Sequence, residues 1–286
     1  MKPFDEIYKN VPQDQKEAFR EFRSTHPYTD LTVGDAPWKY ISCGKGKETL
    51  VLFPGGFRFP GEWFSLITAL ENAYKIISPM YPALPTMADH VKGIAAILET
   101  EKVEHVHVLG ISFGGWLTQC FIRSNLDKVE TVILSHTSGR GPSALQMKLA
   151  QILIPLYPDR VFRFGMKKGY SRLLTVPDSH REFWKAYIEE VASNTTKDYI
   201  LAQRKCFLDF TENYTFSKDD LADWPGRILI LESDNDQAFS KSAREALKAL
   251  YPSAQVHTFH HAGHMPLCNN PGEYISVVKT FLKATE

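Results

Sequence analysis

The sequence predicts an α/β fold: a mostly parallel eight-stranded sheet flanked by helices, with a helical cap inserted late in the chain. Three observations carry this expectation. Short β-rich runs alternate with longer stretches of helical period, several of the runs are apolar throughout, and about 85 strandless residues interrupt the rhythm in the second half.

Residues 11–24 place Ala18, Phe19 and Phe22 at helical spacing, and 29–33 and 38–43 then read as a leading pair of strands. The run 49–53 (TLVLF) is uninterrupted, as suits a strand buried on both faces of a parallel sheet. The same reading covers 75–78, 105–109, 129–135, 227–231 and 255–259. Helical patterns fall at 62–70, 87–100, 113–123, 240–250 and 271–283. Strand, helix, strand in succession means a parallel sheet covered on both sides. The interruption, 139–223, contains Trp184, Tyr187, Tyr199 and several prolines and glycines. It divides the chain into a core of residues 1–138 and 224–286 and an inserted cap.

Composition narrows the possible functions. The 286 residues hold 33 Lys plus Arg and 33 Asp plus Glu, so no broad basic field exists to attract nucleic acid or an anionic membrane. Charged residues stud 1–15, and no run approaches the ~20 apolar residues that span a bilayer, so the expectation is a soluble, cytoplasmic protein. Cys43, Cys120, Cys206 and Cys268 are scattered without a Cys-x-x-Cys pair, which suits reduced thiols. The histidines lack paired zinc spacing, and neither a metal nor a cofactor is expected.

The chemistry starts where the apolar run 105–109 meets Gly110-Ile111-Ser112-Phe113-Gly114 and a helical pattern follows at once. Gly-x-Ser-x-Gly between strand and helix is the context of a nucleophile elbow. A sharp turn there exposes the Ser112 hydroxyl, and the N–H of Phe113, opening the helix, points at the spot where an oxyanion would develop. Serine is a poor nucleophile at neutral pH and needs a base. His264, in HHAGHMP between the last strand and the last helix, is the candidate. His105, His107, His257 and His260 lie in or beside strands, and His261 is a loop neighbour. The acid that orients the base should come after strand 227–231, where Glu232, Asp234 and Asp236 stand together. Asp236, deepest in that loop, is preferred over Asp234 and then Glu232. A second oxyanion donor, the N–H of Gly56, is expected in Pro54-Gly55-Gly56-Phe57 after strand 49–53.

With these pieces in view, residues 50–283 resemble an α/β-hydrolase-fold serine hydrolase. The PGG loop, the GISFGG elbow, LESDNDQAF and HHAGHMPLCNNPGEY carry the likeness. Pro54 departs from it, since the family more often has His before the oxyanion glycine. A narrower likeness is to maspardin-type members, in Asp236-Gln237-Ala238-Phe239-Ser240 and Leu250-Tyr251-Pro252-Ser253-Ala254. Those proteins are regarded mainly as binding scaffolds with an altered histidine position, whereas His264 is present here. The resemblance implies hydrolysis of an ester, thioester or lactone through an acyl-enzyme. Its alternatives are carbon–carbon bond hydrolysis with the same triad and a non-catalytic binding protein. The apolar cap points to a small uncharged acyl or aromatic ester as substrate. Arg160 with Arg163 and Lys167 with Lys168 read as solvated faces.

Overall fold

The computed structural model describes residues 2–283. Its eight strands are β1 (Thr29–Val33), β2 (Ala36–Cys43), β3 (Thr49–Phe53), β4 (Lys75–Met80), β5 (Val106–Ile111), β6 (Val129–Ser135), β7 (Arg227–Ser233) and β8 (Gln255–Phe259). They form one sheet in the order β1-β2-β4-β3-β5-β6-β7-β8. The pairs β1/β2 and β2/β4 are antiparallel, and every pair from β4 to β8 is parallel. All eight strands lie at the expected places. Their ends differ: β5 runs on to Ile111 and β7 to Ser233, so Glu232 belongs to a strand rather than to the loop after it.

Twelve helices complete the described chain: α1 (Phe4–Ile7), α2 (Gln13–Thr25), α3 (Phe64–Leu70), α4 (Met87–Thr100), α5 (Phe113–Ser124), α6 (Ala144–Leu153), α7 (Asp159–Leu173), α8 (Asp178–Ser193), α9 (Lys197–Asn213), α10 (Lys241–Leu250), α11 (Pro266–Asn269) and α12 (Pro271–Lys283). The segment expected as one helix over 62–70 is instead a 3-10 turn, Pro60–Trp63, running into α3.

Successive residues of a strand face opposite sides of the sheet, and in β3 both sides are covered. Leu50 and Leu52 join a core with Phe22, Trp63, Phe183 and Phe281, while Val51 and Phe53 join a second with Leu98, Phe121, Phe210 and Leu247. All five β3 residues are buried, which is why the run lacks alternation.

The strandless interval holds α6 to α9; α8 and α9 enter the cores with several residues each, and α6 with Met147 alone among its buried residues. Phe183, Tyr187 and Val191 of α8 belong to the first core, and Cys206, Phe207 and Phe210 of α9 to the second. The N-terminal helices grip α8 as well: Tyr8 Oη donates to Glu190 at 2.7 Å, and Arg23 pairs with the same carboxylate at 2.7 Å. By contrast α6 and α7 turn Leu145, Leu149, Ile152, Val161 and Phe164 to solvent, and Leu156 between them is 73% exposed. Among the described residues no helix is long and apolar enough to cross a membrane.

Candidate active site

In a parallel sheet all strands deliver their carboxyl ends to one edge, where the loops meet. The loops after β3, β5, β6, β7 and β8 carry Gly55 and Gly56, Ser112, His136, Asp236 and His264 respectively.

Ser112 has φ 53° and ψ −116°, a conformation that costs a non-glycine residue about 1–3 kcal/mol. The surroundings enforce it. Ser112 N–H donates to Ser135 O at 3.0 Å, and Ser112 O accepts from Thr137 Oγ1 at 2.8 Å and from the Gly115 N–H at 2.9 Å. The turn also requires two bare backbones. A Cβ on Gly110 would lie 2.2 Å from Gly114 O, and one on Gly114 would lie 2.1 Å from Phe53 O. Phe113 opens α5, so its N–H has no carbonyl four residues back in the helix to bond.

His264 is 1% exposed, and its Nδ1 lies 3.0 and 3.1 Å from the two Asp236 carboxylate oxygens. A carboxylate only accepts, so Nδ1 carries a proton, and in the neutral imidazole the lone pair lies on Nε2. Asp236 Oδ1 also accepts the N–H groups of Ala238 (2.7 Å) and Phe239 (3.1 Å), which curls the loop so that the carboxylate faces His264. Burial pushes the Asp236 carboxyl up, but the His264 hydrogen bond and charge, His136 and the Ala238 N–H outweigh it and hold it below the usual carboxylate range.

The other two acids are engaged elsewhere. Asp234 binds His260 Nδ1 and the His261 N–H, both at 2.9 Å. Glu232 is buried in β7 and paired with Lys248 at 3.0 Å and Arg244 at 3.5 Å. The His264 ring packs against His136 (centroids 6.2 Å apart) and Phe239 (5.6 Å). His136 follows Ser135, the residue whose carbonyl holds Ser112 N–H, and so ties His264 to the elbow's end of the sheet. No hydrogen bond joins Ser112 to His264; in unliganded enzymes such catalytic bonds are often long and tighten when substrate arrives.

The loop after β3 lies against the elbow: an ideal Cβ on Gly55 would stand 3.6 Å from Ser112 Cβ. Gly55 O accepts from Arg58 N–H at 2.9 Å, closing a turn, and Gly56 O accepts from Tyr170 Oη of α7 and Gln203 Nε2 of α9, each at 3.3 Å. Helices α7 and α9 therefore both reach this loop.

Several groups near the site carry no sequence signal of their own. His136 is completely buried; its Nε2 meets Ser233 Oγ at 2.8 Å, and burial pushes its pKa down to about 3, so it is neutral beside His264. Arg204, next to Gln203, has no carboxylate within ion-pair distance among the described residues, and burial lowers its pKa. Two of the four cations singled out from sequence are engaged on the surface. Lys167 pairs with Glu189, and Arg163 donates to the Ala192 and Ser193 carbonyls at the end of α8.

Two clusters among the described residues could hold a cation: Glu48 with His107 and Glu130, and His26 with Cys43 and Glu71. In the first, His107 Nε2 lies 3.4 Å from Glu130 and 3.7 Å from Glu48, at the amino ends of the strands. Neither cluster includes Ser112, Asp236 or His264.

Comparison with known proteins bears on the family and the fold. Residues 50–276 match the family model described as "Alpha/beta hydrolase family". An uncharacterized hydrolase of Bacillus subtilis, YcgS, is 28% identical over 259 residues, covering 82% of this chain and 90% of its own. A 2-hydroxy-6-oxononadienedioate/2-hydroxy-6-oxononatrienedioate hydrolase of Paraburkholderia phymatum is 23% identical over 285 residues, covering 91% and 96%. Among solved structures, the enol-lactonase of Burkholderia xenovorans superposes with a TM-score of 0.77 at 15% identity, over 90% of this chain and all (100%) of its own.

Proposed function

Because this chain belongs to the alpha/beta hydrolase family, we propose that it is a serine hydrolase that cleaves a carboxylic ester, thioester or lactone through an acyl-enzyme on Ser112. The observation that supports this reading best is the Asp236–His264 pair, buried at the same end of the sheet as a serine in a strained elbow. Ser112 Oγ attacks the acyl carbon while His264 Nε2 takes its proton, and Asp236 stabilises the imidazolium so formed. The carbonyl oxygen becomes an oxyanion, received by the N–H groups of Phe113 and Gly56 in a site that requires neither metal nor cofactor. The leaving group takes the proton from His264, and water then enters by the same route to release the acid.

In this reading residues 139–223 act as a cap over the pocket, supported by the Tyr170 and Gln203 bonds to Gly56 O. The substrate is a small uncharged acyl or aromatic ester, met in solution rather than on a membrane or nucleic acid, and the compartment is the cytoplasm. Purified protein should hydrolyse short p-nitrophenyl esters, and Ser112→Ala should abolish that activity; turnover retained by Ser112→Ala removes Ser112 as nucleophile.

One observation favours a second reading. Arg204 stands beside the residue that touches the oxyanion loop, with no acidic partner among the described residues. An unpaired guanidinium suits a carboxylate-bearing substrate, such as the oxononadienedioate named for the Paraburkholderia relative, whose hydrolysis breaks a carbon–carbon bond. Turnover of a dienedioate analogue far above that of neutral esters, lost in Arg204→Gln, selects this reading. Failure of both substrate classes selects a maspardin-like binding protein.

A further inference from the structure

Glu62 is an acid where an acid is costly. It lies in the 3-10 turn Pro60–Trp63, is 2% exposed, and has no Lys, Arg or His within ion-pair distance among the described residues. One carboxyl oxygen accepts the Gly55 N–H at 2.5 Å; the other has no hydrogen-bond partner. The titratable groups that face it are Tyr81 after β4, Tyr170 of α7, Tyr187 of α8, Cys268 of α11 and Tyr274 of α12. All are acids, and burial pushes each of them up, so each is neutral at physiological pH. No neighbouring cation compensates a charge on Glu62, and burial opposes one.

What Glu62 holds is the peptide beside the proposed oxyanion hole. Three anchors fix this loop: Glu62 on Gly55 N–H, the Arg58 N–H on Gly55 O, and Tyr170 with Gln203 on Gly56 O. The Gly55 N–H belongs to the Pro54–Gly55 peptide and the Gly56 N–H to the next one, opposite the Gly55 carbonyl, so Glu62 and the Arg58 N–H fix the two planes that meet at Gly55 and together aim the second donor. Resting on the function proposed above, we propose that Glu62 is a positioning residue for the oxyanion loop. It clamps Gly55 so that Gly56 N–H faces the reacting carbonyl, and it must remain uncharged for the site to receive negative charge.

The same geometry makes the site sensitive to alkali. Burial pushes the Glu62 pKa up to about 8, with the Gly55 N–H opposing in part. Below that pH the carboxyl is protonated. Above it, a carboxylate sits behind the loop at which the oxyanion develops, and like charges in a poorly screened interior oppose the transition state more than the ground state.

The test is a set of pH–rate profiles on the intact protein with a short p-nitrophenyl ester. Wild type should lose kcat through an ionisation near pH 8, with little change in KM. Glu62→Gln keeps an acceptor for Gly55 N–H but cannot ionise. It should hold kcat within about threefold at pH 7 and lack the alkaline fall. Glu62→Ala removes the clamp and should lower kcat by about tenfold or more, again with KM little changed. If Glu62→Ala fails to fold, the Gln profile alone decides. An alkaline limb unchanged in Glu62→Gln, or a Glu62→Ala kcat equal to wild type, overturns the proposal. Inactivity of the wild type toward every ester would instead strike the proposed function itself.

Discussion

Replacing Asp236 by Asn alters the proposed proton relay while sparing the loop. Asn retains an oxygen for the Ala238 and Phe239 N–H groups at 2.7 and 3.1 Å, so the curl of residues 236–239 survives. Its amide nitrogen must then face His264 Nδ1, which now stands 3.0 and 3.1 Å from two acceptors. Nδ1 can bond an N–H only by becoming the acceptor, so the proton moves to Nε2 and the lone pair that should take the serine proton is lost. The expected loss in kcat is about a thousand- to ten-thousand-fold, or roughly 4–5.5 kcal/mol of transition-state stabilisation. Asp234→Asn provides the contrast. Its carboxylate serves His260 and the His261 N–H, away from the base, and its loss should change kcat only about two- to threefold. Initial rates on p-nitrophenyl butyrate, with urea unfolding midpoints to confirm folding, separate the two. Equal effects, or a larger effect at position 234, would refute the assignment of the acid.

The same contacts dictate further outcomes. Gly114→Ala should unfold the elbow or destabilise the protein by about 3 kcal/mol or more, because its Cβ falls 2.1 Å from Phe53 O. Gly56→Ala meets nothing within 4 Å, and its urea midpoint should stay near wild type. For stability against pH, Glu62 has a folded pKa raised to about 8 above an unfolded value near 4.5. The folded state then binds the extra proton between those values, so the stability contributed by the neutral acid is complete below about pH 4.5 and falls as pH rises to about 8. The advantage of Glu62→Gln over wild type in urea should therefore grow across that window, by an order of a few kcal/mol; a constant difference would contradict a buried neutral acid. Across p-nitrophenyl esters of increasing acyl length, kcat/KM should peak at short to medium chains. A maximum at palmitate, or activation by a lipid interface through the exposed Leu145, Ile152, Leu156 and Phe164, would show that the cap had been misread.

The sheet was readable because burial on both faces leaves a direct trace: β3 follows Thr49 with four apolar residues in a row, and all five are buried. The elbow was readable because Gly110 and Gly114 are imposed by backbone contacts near 2 Å, a constraint a short motif can record. Which carboxylate lies beside His264 was narrowed but not fixed by sequence. Glu232, Asp234 and Asp236 differ by where β7 ends and by how Asp236 caps its own loop, and strand ends depend on pairing with β8. The strandless interval between β6 and β7 showed as a break in rhythm. That α8 and α9 would enter the cores while α6 and α7 leave most of their large apolar side chains on the outside is a result of tertiary packing, which local period does not encode. Glu62 gave no warning, because an acid at the start of a helical pattern reads as ordinary N-terminal charge. Its meaning lies in the Gly55 N–H seven residues earlier and in five acids from distant elements.

The central proposal, an activated serine at position 112, is exposed most directly by a fluorophosphonate reagent, which modifies a serine only when a base has been placed to deprotonate it. The native protein should gain one phosphonyl group, mapped by peptide mass spectrometry to Ser112, and labelling should vanish in Ser112→Ala and fall sharply in His264→Ala. Absence of labelling in the folded native protein, or a label on any other residue, would contradict it.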